Sequence, residues 1–108
     1  ILAVGDNLRE GQLVQFHVRD SVTSSEDLQR QLTERVDSRA AVGGALMFQC
    51  NGRGMHLYGH PNHDSDLFTE IVGPVPLGGF FCNGEIGPVG GITFVHGFTS
   101  SLVIFRER

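Results

Sequence analysis

Two apolar runs of this chain end in the same tripeptide. Ala40–Cys50 and Leu77–Cys82 both close on Cys-Asn-Gly, and a charged residue follows each turn, Arg53 in one case and Glu85 in the other. Asn-Gly takes up positive φ at little steric cost, so it marks a sharp turn at the end of a strand. An apolar run with little alternation is the pattern of a strand covered on both faces. If the two strands are neighbours, both turns lie at one edge of one sheet. Thirteen of the fifteen glycines crowd into Gly43–Gly59 and Gly73–Gly97, which makes them local design around these turns.

The remaining pattern fills in around that pair. Ile1–Val4 is a short apolar run, and Leu13–Asp20 alternates Val14, Phe16 and Val18 with Gln15, His17 and Arg19. A period of two marks a half-buried strand, so the two runs are expected to form a hairpin with a long loop. Thr23 and Glu26 have capping-box spacing, and Leu28, Leu32 and Val36 put one apolar stripe on a helix of about 13 residues. Asp64 is expected to N-cap a shorter helix carrying Leu67, Phe68 and Ile71, which Gly73 and Pro74 end. Ile92–His96 and Ser100–Arg106 read as antiparallel neighbouring strands. The expected fold is α+β, an antiparallel or mixed sheet of about five to six strands with two helices. The expected order is β-β-α-β-α-β-β-β, with residues 1–108 forming a single domain. Ile1 in place of an initiator Met suggests a piece of a longer protein.

Bulk properties exclude several function classes. The net charge is −4, lysine is absent, and no basic run provides a footprint for nucleic acid or an anionic membrane. No stretch approaches the ~18 continuous apolar residues of a membrane span. Two cysteines, Cys50 and Cys82, are too few for a disulfide framework, so a reducing, cytoplasmic setting is expected.

Four constellations carry potential chemistry. Arg53 and Glu85 offer opposite charges beside a glycine-lined cleft, suited to gripping the carboxylate and the amine of a zwitterion; ordinary turns joined by a structural ion pair are the plainer alternative. Cys50, close in sequence to Arg53, invites a thiolate of lowered pKa, but no local Cys–His pairing supplies a base. His56, His60, His63 and Asp64 have helical ligand spacing, yet Gly59 and Pro61 break such a helix, which leaves a His-bearing loop and no expected metal. Gly84–Gly91 lacks the spacing of a phosphate loop, and Glu85 would repel phosphate. His17 falls on the polar face of its strand and needs no special role.

Phe80-Phe81-Cys82-Asn83-Gly84-Glu85-Ile86-Gly87-Pro88 resembles the signature near the C-terminus of FIST domains. Val14–Asp20, Cys50–Gly54 and His96–Ser100 are similar to that family too, in the right order, and only His56–His63 departs from it. The resemblance implies an intracellular signal-transduction module, the second half of a larger FIST region, proposed to bind small ligands such as amino acids. It brings no established catalytic residues. The expected function is therefore noncatalytic sensing of a small, amino-acid-like ligand, without a cofactor and beside an upstream FIST N-terminal domain. The expected contacts are Cys50, Asn51, Arg53, Gly54, Phe81, Cys82, Asn83, Gly84, Glu85 and Gly87, with Phe81 as an apolar wall. A protein-docking module is the rival class, and a cysteine-dependent enzyme or redox sensor a third.

Overall fold

The computed structural model describes residue 4, residues 7–36 and residues 41–107. These hold α1 (Ser21–Arg35), β1 (Val42–Cys50), α2 (Met55–Tyr58), α3 (His63–Val72), β2 (Leu77–Cys82), β3 (Glu85–Val89), β4 (Ile92–His96) and β5 (Ser100–Arg106). The class is α+β, but the order is α-β-α-α-β-β-β-β, which replaces the expected β-β-α-β-α-β-β-β. The strands form a mixed three-stranded sheet, β2-β1-β5, and a separate hairpin, β3-β4. The expected N-terminal hairpin falls partly on residues that are not described. Ile1–Ala3 lie outside the described residues, and Leu13–Asp20 pairs with no strand among those described.

Both long helices start differently from expectation. Asp20, in extended backbone, caps α1 by accepting hydrogen bonds from Thr23 N at 2.9 Å and Thr23 Oγ1 at 2.6 Å. The Thr23–Glu26 box is therefore not used: Thr23 is already inside the helix, bound to a carboxylate three residues upstream. Leu28 and Leu32 form the buried stripe, while Val36 serves as the C-cap. In α3 the cap position belongs to Asn62 in left-handed backbone (φ 64°). Asp64 sits one residue into the helix and turns its carboxylate inward. Gly73 ends α3 at φ 102°, as expected.

β1 is the centre of the sheet, parallel to β2 and antiparallel to β5. Register puts Ala45 and Met47 on the same face as Leu77, Leu102 and Ile104. Leu28 and Leu32 of α1 and Phe68 of α3 close over that face to make the core. The opposite face carries Leu46, Phe80, Val103 and Phe105, all exposed, with Phe48 packed edge-on against Phe80 at 5.1 Å between centroids.

The expected pairing of the last two strands is also replaced. β4 pairs with β3 through the Gly90-Gly91 turn (φ 58° and 83°), whose two positive φ values fit a tight primed hairpin turn. Gly84–Gly91, to which the sequence pattern assigned no element, thus supplies strand β3. The link from β4 to β5 passes through Phe98 at φ 65°, and β5 goes on to pair with β1.

One residue fixes the β1–β2 spacing. Gly79 lies opposite Met47 at φ 151°, and a Cβ there would fall 1.8 Å from the Met47 carbonyl oxygen. Backbone cannot yield to that overlap as a flexible side chain would. Gly79→Ala is expected to destabilise the fold by at least about 3 kcal/mol, lowering the Tm by more than ~10 °C. Gly78→Ala, whose Cβ would meet only Leu46 Cδ2 at 3.5 Å, is the control and should melt close to wild type. Thermal unfolding of both variants tests the contrast.

Candidate functional site

The parallel register brings the two Cys-Asn-Gly turns together. Cys50 stands opposite Cys82, and the next residue of each turn meets its counterpart, Asn51 Nδ2 donating to Asn83 Oδ1 at 2.8 Å. Asn51 N also donates to Cys82 O at 2.9 Å, so the turns are tied by main chain and side chain alike. Both cysteines are half-buried free thiols. The Cys82 thiol lies within reach of Gln49 O and Glu85 Oε1, and partial desolvation together with the Glu85 carboxylate pushes its pKa up.

Arg53 and Glu85 are both buried, at 7% and 1% exposure, but they do not form an ion pair. Arg53 instead pairs with Asp64. Its Nε donates to Asp64 Oδ2 at 2.7 Å and its Nη2 to Asp64 Oδ1 at 3.3 Å. Nη2 also donates to Tyr58 Oη at 2.6 Å, and Nη1 reaches Phe98 O at 3.5 Å. Asp64 accepts a further bond from Gln49 Nε2 at 2.5 Å, and His63 Nδ1 lies 2.8 Å from its Oδ1. Burial works against the Asp64 charge, but the bonds from Arg53 and His63 and the guanidinium charge outweigh it and hold the pKa below the ordinary aspartate value. Burial also raises the Tyr58 hydroxyl far above the usual tyrosine range, so it stays protonated.

This network replaces the expected His-bearing loop. Gly54–Gly59 holds the short helix α2, and His63 stacks on Tyr58 at 3.6 Å between centroids while its Nε2 meets Ser25 Oγ at 3.0 Å. His56 and His60 are exposed. No cluster of three or more His, Cys, Asp or Glu side chains suited to a metal occurs among the described residues.

Glu85 has a different environment. Its Oε2 accepts from Thr99 Oγ1 at 2.9 Å and Thr99 N at 3.2 Å, and no basic side chain among the described residues is within ion-pair distance. Phe98, next in the chain, keeps a left-handed backbone that is costly for a bulky residue. Arg19 stacks over its ring, with Cζ 4.2 Å from the centroid.

A cleft of about 1040 Å³ joins these groups. It runs from α1 past β5 to the β3 strand. Of the expected contacts it includes Arg53, Cys82, Gly84, Glu85 and Gly87. Cys50, Asn51, Gly54 and Asn83 lie at the turns outside its lining. Phe81 is outside too, because strand alternation points it to the other side, where its ring packs on Gly54; Phe80 forms the apolar wall in its place. Sequence reasoning missed Phe98, Thr99 and Ser100, which line the cleft, and Asp64 as the partner of Arg53. Ser100 Oγ is buried with no hydrogen-bond partner among the described residues. The His96–Ser100 segment carried the available signal, since it was one of the blocks resembling the family.

The family model for the FIST C domain matches residues 1–88. The chain belongs to the FIST C domain family. This is a class of sensory domain in signalling proteins. Uncharacterized proteins of Mycobacterium bovis and Mycobacterium tuberculosis are 40% identical over 108 residues and 42% over 109, in each case covering 98% of this chain and 28% of the relative. Human F-box only protein 22 is 37% identical over 76 residues, covering 69% of this chain and 18% of that protein. The FIST C domain described here thus spans just over a quarter of the mycobacterial relatives it matches. No helix among the described residues is long and apolar enough to cross a membrane.

The Arg53–Asp64 pair makes a pH-dependent prediction. Because the folded Asp64 pKa is lowered, its contribution is fully present above the unfolded value of about 4 and is lost as pH falls through the folded value. Asp64→Asn should cost about 3 to 5 kcal/mol at neutral pH, because it leaves a buried guanidinium without its partner. It should also flatten the loss of stability below about pH 4. Urea melts of both proteins from pH 3 to 7 measure the two effects. An acid slope unchanged by the substitution would assign that slope to other carboxylates.

Proposed function

We propose that this FIST C domain is a noncatalytic sensor of a small metabolite carrying an amine, with Glu85 as the anionic anchor and an amino acid as the ligand class. The observation that carries the reading is Glu85 itself: a carboxylate almost wholly removed from water, on the wall of a cleft of about 1040 Å³, held by neutral donors and lacking a cationic partner among the described residues. A desolvated carboxylate is costly to keep without such a partner, and a ligand ammonium would provide one. Thr99 fixes the Oε2 side of the carboxylate.

The role of Arg53 differs from a carboxylate clamp. Its guanidinium is spent on Asp64, Tyr58 and the Phe98 carbonyl, so it positions the loop on which Phe98 and Thr99 lie. A noncatalytic reading is supported by the thiols. Burial raises the Cys82 pKa, which keeps it protonated and weakly nucleophilic, and no Cys–His hydrogen bond occurs among the described residues. Docking to an upstream FIST N-terminal domain belongs to the same reading, because the domain spans so little of its relatives' length. The exposed apolar sheet face favours such docking as a second role.

The test is thermal unfolding of the full-length protein against free amino acids and small amines. A ligand at ~100 times its Kd stabilises by about 2.7 kcal/mol, a rise of several degrees. Glu85→Gln keeps an acceptor for Thr99 while removing the charge. The expected result is a selective shift in the wild type that Glu85→Gln abolishes, with the unliganded Tm little changed. No shift across the panel, or a shift that survives Glu85→Gln, overturns the assignment.

A further inference from the structure

We infer that residues Gln12–Arg19 form a β-strand paired with polypeptide outside this domain, of the kind its longer relatives carry. The segment has strand chemistry and no strand partner. Val14, Phe16 and Val18 alternate with Gln15, His17 and Arg19, which gives one apolar face and one polar face. Yet Phe16 is 78% exposed and Val18 84%, and no residue of the segment pairs with any strand among those described. An unpaired, apolar-faced strand is an aggregation hazard that native proteins cover.

The segment leaves the body from a fixed point. Asp20 caps α1, and Arg19 stacks on Phe98, so the root is anchored while the apolar positions project away from the core. The Cα radius of gyration, 16.0 Å, exceeds the ~13 Å of a compact domain of this length, as expected of a chain with an arm not folded onto its own core.

Two occupants compete for the arm, and the relatives' length decides between them. The mycobacterial relatives align over 98% of this chain while extending to more than three times its length. Proteins that share this arm therefore carry ample polypeptide to receive it. A second copy fits less well: two arms pairing with each other make a two-stranded ribbon, which is marginal in water and leaves its apolar face uncovered. A sheet with a free edge, in the outside polypeptide, satisfies both the backbone and the Phe16 face. This inference is independent of the amine-sensing reading, since no hydrogen bond or ion pair joins Glu85 to residues 12–19 among those described.

Hydrogen–deuterium exchange on the full-length protein tests the inference. The amides of residues 13–19 should exchange at least about a hundred-fold more slowly than an unstructured chain, at a rate independent of protein concentration. Phe16→Asp should abolish that protection and leave the β1 and β5 amides protected, which separates loss of docking from loss of folding. Free exchange of residues 13–19 in the full-length protein overturns the proposal. Protection that rises with concentration, alongside a doubled mass in sedimentation, overturns it in favour of a second copy.

Discussion

The Arg53–Asp64 ion pair is the interaction on which the site depends. It links the turn after β1 to the first turn of α3, and Tyr58 and Gln49 complete its hydrogen bonding. A buried guanidinium with a single partner would cost several kcal/mol, so the satisfaction of nearly every donor is what lets it sit at 7% exposure. Its remaining arm reaches the carbonyl of Phe98, the residue in left-handed backbone. The pair therefore reaches across the fold to the loop that presents Thr99 to Glu85.

The molecule divides its two faces between different tasks. One face of the β2-β1-β5 sheet is closed by α1 and α3 and holds the small core. The other carries exposed Phe80, Val103 and Phe105, and the β3-β4 hairpin adds exposed Ile86 and Val95. Among the described residues the core is built around five buried apolar side chains, a modest number, and much apolar surface remains in water. That exposed apolar surface is what the proposed docking would cover.

The sequence pattern made the adjacency of the turns legible, because two Cys-Asn-Gly endings on apolar runs imply equivalent strands. Leu28, Leu32 and Phe68 were legible for a similar reason, as helical stripes. The charge pairing was not legible. Arg53 and Glu85 are symmetric in sequence, whereas the pairing depends on Asp64, whose expected role as a cap fell to Asn62 once that residue entered left-handed backbone. Leu13–Asp20 was misread for another reason. Alternation reports what a segment is suited to pack against, and it cannot say whether the packing partner lies in the same domain. The hairpin β3-β4 escaped notice because Gly87 and Pro88 interrupt a strand pattern, while the Gly90-Gly91 turn that organises it looks like more loop.

The absence of a side chain at Gly79 governs how closely β1 and β2 can lie. A Cβ at position 79 would meet main chain, so the glycine sets how closely the strands approach, and the Asn51–Asn83 bond then ties the turns at their ends. The frame that carries the two turns thus rests on a missing side chain, and no rotamer change elsewhere can make room for one.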